Sequence, residues 1–208
     1  MKGRTKKARA VIGMSLSLVL LTGAAVRSDK AVETVIFIRH GEKPHKGLGQ
    51  LSCQGFNRAL ALPSVIAKTF GKPDAIFAPD PDEQVKSPEE PYDYVRPLAT
   101  ILPTAISFGL PVSTSIGASD THGLRAAIEQ PEYSNALILI AWEHRKIEQT
   151  VRALLAAHRG DAARVPEWRH DDFDSIYVVT ITSIGDTKRA TFALMHQGLD
   201  GQKETCPQ

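Results

Sequence analysis

The chain has 208 residues, 42 % of them hydrophobic and 23 % charged, and a formal net charge of +2. That length holds one ordinary domain with a sizeable core and excludes two large ones. Much of the positive charge (Lys2, Arg4, Lys6, Lys7 and Arg9) lies near the N-terminus. The remaining body has no basic excess, so no nucleic-acid surface is indicated.

The N-terminus reads as an export signal over residues 1–25. "MKGRTKKAR" is a basic region, "AVIGMSLSLVLLTGAA" is apolar, and Gly23-Ala24-Ala25 supplies small residues for cleavage. An uncleaved N-terminal membrane anchor is the alternative. No Cys follows the apolar stretch, which argues against a lipoprotein anchor. The expectation is a mature chain from about Val26, periplasmic or secreted, touching a membrane only through that segment if it is retained. No second run is long enough to span a bilayer. The two cysteines, Cys53 and Cys206, lack metal-ligand spacing. In an oxidising compartment they either pair or stay free, and the sequence leaves both open.

From residue 32 to about 200 a single domain is expected, with residues 201–208 as a tail. "ETVIFIRHG" is a β-branched and aromatic run, as in a strand buried on both faces. "GFNRALALPSVIAKTFG" predicts a helix closed by Gly71, and "DAIFAPD" a second strand. The Pro- and acid-rich stretch 78–94 is too polar for core, and a loop of that length is functional or disordered. "YVRPLATILPTAISFG" predicts a helix with Pro97 in its first turn and Gly109 at its end. "LPVST" is a short strand, "GLRAAIEQ" a weak helix and "NALILIAWEH" a central strand. "RKIEQTVRALLAAHRG" follows as a helix with an apolar stripe at Ile147, Val151, Leu154 and Leu155. "SIYVVTITSIGDTKRATFALMHQG" alternates around Gly185-Asp186 and predicts a hairpin. The fold class is therefore α/β: a three-layer sandwich, its mostly parallel sheet flanked by helices on both faces, with a C-terminal antiparallel hairpin.

In such a sheet, ligands bind beyond the carboxyl ends of the strands. Three such ends carry Arg39-His40-Gly41-Glu42-Lys43, the acidic loop leading to Arg96, and Trp142-Glu143-His144. Cations around His40 disfavour its imidazolium, leaving a neutral, nucleophilic ring. The same cations suit the oxygens of a transferring phosphoryl group. Gly41 lets the backbone pass close to a ligand and offers its N–H. A divalent metal on His40, His45, Glu143 and His144 fits badly among Arg39, Lys43 and Arg96, and no ligand motif is present. Glu42 reads as an exposed or supporting carboxylate, the other histidines as surface residues, and Trp142 and Trp168 as core or rim packing.

"RHGEKP" followed by "LSCQG" resembles the signature of the histidine phosphatase, or phosphoglycerate mutase-like, superfamily. "YVRPLATILPTA" is similar to that family's segment with the second arginine, and "LILIAWEH" to the strand ending in its second histidine. The resemblance spans about residues 33–158. It implies His40 as a nucleophile that becomes phosphorylated, and Arg39, Arg96 and His144 as the rest of a phosphate pocket. Lys43 stands where one branch has an arginine and is carried over as a phosphate contact. The chain departs in lacking Ser-x-x-x-Arg before Arg96 and in having Glu143 before His144. Glu143 is the first choice of proton donor, although an ideal strand points it away from His144. Glu89, Glu90 and Asp93 are the alternatives.

The expected activity is exported hydrolysis of small phosphomonoesters through a phosphohistidine, with neither metal nor cofactor required. A catalytically idle phospho-ligand or protein-binding module of the same fold is the second reading, and a phosphomutase the third. The acidic loop mildly disfavours polyphosphorylated substrates. Oligomeric state is left open.

Overall fold

The structure, a computed structural model, describes residues 30–85 and 91–208. The export signal or anchor read over 1–25, and the carboxylates Glu89 and Glu90, lie outside the described residues. A six-stranded sheet in the order β5-β2-β6-β1-β7-β8 forms the middle layer. Its elements are β1 (Lys30–Arg39), β2 (Ala75–Pro79), β5 (Ser113–Ile116), β6 (Leu137–Trp142), β7 (Ser175–Ile184) and β8 (Thr187–His196). β5, β2, β6 and β1 run parallel, while β7 lies antiparallel to β1 and β8 antiparallel to β7. A separate two-stranded ribbon pairs β3 (Gln84–Val85) with β4 (Tyr92–Asp93) inside the acidic stretch.

Helices α1 (Cys53–Thr69) and α2 (Arg96–Phe108) cover one face of the sheet, and α3 (Thr121–Ile128) and α4 (His144–Ala157) the other. The alternation of β1 explains its unbroken apolar run. Val35 and Phe37 join the core under α3 and α4, whereas Ile36 and Ile38 join the core under α1 and α2. Every one of those side chains is fully buried. A strand with apolar residues on both faces has no stable position at a sheet edge. It is held second to the hairpin on one side and beside β6 on the other.

Among the boundaries that differ from the sequence reading, three have a clear local cause. The strand expected at 110–114 begins at Ser113, because Leu110 donates its N–H to Ala105 to close α2 and Pro111 has none to give. The weak helix expected at 123–130 starts at Thr121, since Asp120 caps it by accepting the Gly123 N–H at 2.7 Å. The strand expected to run through His144 stops at Trp142. Glu143 is instead the N-cap of α4, accepting the Lys146 N–H at 3.0 Å, and His144 is the first helical residue. Gly109 ends α2 in the left-handed conformation at φ 64°, as its position predicts.

Cys53 and Cys206 form a disulfide across 153 residues. The tail is strapped along the start of α1. Asn57 donates from its amide to the carbonyls of Lys203 and Thr205 at 2.8 and 2.9 Å.

Candidate active site

The site is assembled where β1, β6 and the first turns of α1, α2 and α4 meet. Arg39, His40, Arg96 and His144 are all buried there, between 3 and 8 % exposed. Two glycines make the close approach of β1 to α1 feasible. A Cβ on Gly41 would meet the Gly55 carbonyl at 2.9 Å, and one on Gly55 would strike the Glu42 backbone. The pair "RHG" and "LSCQG" is thus a packing requirement as well as a chemical one.

His40 Nδ1 lies 2.8 Å from the Gly41 carbonyl oxygen. A carbonyl only accepts, so Nδ1 carries the proton and Nε2 keeps its lone pair. Burial holds the ring far down, at about pH 3, with Arg96 and Arg39 pushing the same way against the Gly41 contact. His40 is neutral, as the sequence indicated, but desolvation rather than the neighbouring cations is the main cause. Its ring is edge-on to Tyr94 and tilted against Phe173, each at 6.2 Å between centroids.

The arginines are placed by backbone. Arg39 donates from Nη1 to the carbonyls of His170 and Asp172 at 2.7 and 2.8 Å and lies 3.9 Å over the Phe173 ring. Arg96 opens α2, and its Nη1 reaches the Gly47 carbonyl at 3.4 Å. Both Nε atoms are buried with no hydrogen-bond partner among the described residues. Neither guanidinium has a carboxylate within ion-pair distance among the described residues. Two buried cations with donors to spare are able to hold an anion. Lys43 is exposed at its margin; partial burial lowers its pKa, and Arg96 and Arg39 lower it further.

Glu143 differs from the expectation. Its Oε1 lies 2.6 Å from His144 Nδ1, too oblique for a directed hydrogen bond, and its Oε2 takes the Lys146 N–H. Burial pushes its carboxyl up, but the His144 ring and the Arg145 and Lys146 amides outweigh that and bring it to about 2. In the free site Glu143 is ionised and has no proton to give; it caps α4 and neighbours His144. Gly41 also differs from the reading of it as a ligand donor. Its N–H is donated to Thr100 Oγ1 at 2.9 Å, and that hydroxyl donates in turn to the Arg96 carbonyl. Asp93 is exposed.

Beside Arg96 a cleft of about 360 Å³ is lined by Glu83, Tyr94, Arg96, Ser119, Glu143 and Lys146. Behind them lies a second charged centre that the sequence reading missed. Arg58 on α1, 1 % exposed, binds Glu42 with both Nε and Nη2, and also binds Asp174 and Asp200. An arginine on the same helical stripe as Leu62 and Ile66 is the signal that was available, because a cation on an apolar face requires buried carboxylates. Glu42 is therefore a supporting residue, committed to Arg58.

Neither a family model nor a curated protein sequence matches the chain. Solved structures do. A protein solved under the name phosphohistidine phosphatase SixA, from Nakamurella multipartitia, aligns with a TM-score of 0.52 at 16 % identity, covering 79 % of this chain and 96 % of that one. A mycobacterial glucosyl-3-phosphoglycerate phosphatase in complex with inorganic phosphate aligns with a TM-score of 0.55 at 16 % identity, covering 77 % and 95 %. These neighbours are members of the histidine phosphatase, or phosphoglycerate mutase-like, superfamily, and this chain has their fold.

Proposed function

We propose that this chain is an exported phosphatase that hydrolyses small phosphomonoesters through a phosphohistidine on His40, without a metal. The observation that carries the reading is the pairing of a neutral His40, its Nε2 keeping a lone pair, with two buried arginines whose Nε atoms have no partner among the described residues. The phosphatase names of the structural neighbours support it. In the first step Nε2 attacks phosphorus while the ester P–O bond breaks and the departing oxygen takes a proton. In the second, water adds to phosphorus, the P–N bond breaks and Nε2 recovers its lone pair. Arg39 and Arg96 hold the equatorial oxygens throughout, with His144 beside them. Lys43, at the rim, steers the anion inward. Export is supported by the basic-then-apolar N-terminus and by the Cys53–Cys206 bond, of a kind that persists in oxidising compartments.

The test is turnover of a chromogenic phosphomonoester by the mature chain in excess chelator, beside His40→Ala. Chelator-resistant turnover that disappears in the variant, with a phosphohistidine trapped by acid-quench avoidance and mass spectrometry, is the expected result. Loss of activity to chelator overturns the metal-free mechanism. A folded protein that binds phosphate and turns over nothing leaves the binding module as the function.

A further inference from the structure

This inference rests on the phosphatase reading above and concerns the proton that the departing oxygen must receive. Tyr94 is 4 % exposed, and its buried hydroxyl makes no well-aligned hydrogen bond among the described residues, although the Arg96 guanidinium is near enough to lower its pKa. An unpaired buried phenol is costly unless something uses it. Its ring stands edge-on to the nucleophilic His40, has the Arg96 guanidinium 5.0 Å from its centroid, and forms part of the wall of the cleft beside Arg96. From the juxtaposition of this buried hydroxyl with His40, Arg96 and the cleft beside Arg96, we infer that Tyr94 is the proton donor to the departing ester oxygen, which would lie in that cleft.

The neighbours do not compete for that proton. Arg96 carries only donors, so it cannot accept it. Glu143 has its two oxygens on His144 and the Lys146 N–H. Burial raises the Tyr94 pKa above its ordinary value, partly offset by Arg96, so the hydroxyl stays protonated through the neutral range. As Nε2 forms its bond to phosphorus and the ester P–O bond breaks, the proton passes from Tyr94 Oη to the ester oxygen, which leaves as the neutral alcohol. The phenolate left behind is stabilised by Arg96 and takes a proton from the water that attacks the phosphohistidine, returning Tyr94 to its starting form. The chain thus needs no protonated carboxyl in the site. Glu83 is the rival donor, since it lines the same cleft, although one of its oxygens accepts the Ala118 N–H.

The test compares an aryl ester whose phenolate departs unaided, 4-nitrophenyl phosphate, with an alkyl ester whose alkoxide does not, benzyl phosphate. Tyr94→Phe keeps the ring packing and loses only the hydroxyl. The expected result is kcat/KM on the alkyl ester down by about 10²-fold or more, with the nitrophenyl ester changed by no more than a few-fold. Glu83→Gln is expected to leave that ratio unchanged. An equal loss on both esters, no loss on either, or a selective loss in Glu83→Gln overturns the assignment while the phosphatase reading stands. A wild-type chain inactive on both esters defeats the phosphatase reading itself, and this inference with it.

Discussion

Two sets of arginines, all of them buried, meet at the carboxyl end of this sheet and live in opposite surroundings. Arg58 is 1 % exposed and has three carboxylates on its guanidinium. Arg39 and Arg96 are 3 % and 6 % exposed and, among the described residues, donate hydrogen bonds only to carbonyls and keep a buried Nε unpaired. A saturated buried cation is structural, because its charge is already answered within the protein. An unsaturated one holds unspent donor capacity for a ligand. On the proposed function the same residue type does two jobs, and the difference lies in which acidic side chains reach it.

That contrast can be broken by experiment. The largest effect is expected from Arg58→Met. It strands Glu42 and Asp174 without their cation, so unfolding free energy by denaturation should fall by about 3–5 kcal/mol. Per folded molecule, kcat/KM should change little. Arg96→Ala should do the reverse: kcat/KM on phosphomonoesters down by about 10²–10³-fold, with Tm unchanged or raised. If Arg96→Ala unfolds the protein while Arg58→Met abolishes turnover at full stability, the division of roles is wrong.

A pH series sharpens the same comparison at His40. Its folded-state pKa of about 3 lies below its ordinary 6.5, so the unfolded chain binds the extra proton in between. Stability owed to neutral His40 is therefore complete above pH 6.5 and is lost as pH falls toward 3, by up to about 1.4 kcal/mol per unit. Glu33 acts in the opposite sense between pH 4.5 and 7, since burial raises its carboxyl to about 7 and acid favours that folded form. The measurement that isolates His40 is the difference in stability between the wild type and His40→Gln across that range. The gap should shift against the wild type as acid is added. The smallest effect is expected from Asp200→Asn. That partner of Arg58 has a side chain 78 % exposed, against 12 % for Asp174. Its loss should cost no more than about 1 kcal/mol in a thermal melt.

Much of this is legible in the sequence. β1 announced itself through Val35-Ile36-Phe37-Ile38, because a run apolar on both faces fits only the interior of a sheet. Gly109 marked the end of α2, and Gly185-Asp186 the hairpin, through local backbone chemistry alone. Arg39, His40, Arg96 and His144 were chosen because strand ends of an α/β sheet converge, and they do converge. The sequence pattern places Glu143 in the strand and makes it the first choice of proton donor. Its place depended on where β6 gives way to α4, and its ionisation on which amides it meets there.

Arg58 and Tyr94 mark the limit most clearly. The sequence by itself determined the layers, the order of the main elements and the placing of Arg39, His40, Arg96 and His144 at the sheet's carboxyl end, since periodicity and turn chemistry act over a few neighbouring residues. Only the tertiary structure decided which buried groups find partners. Asp174 and Asp200 lie 116 and 142 residues beyond Arg58, and Cys206 lies 153 beyond Cys53. Whether a charge, a hydroxyl or a thiol is answered depends on distances that no local pattern encodes, and in this protein that answer separates the scaffold from the site.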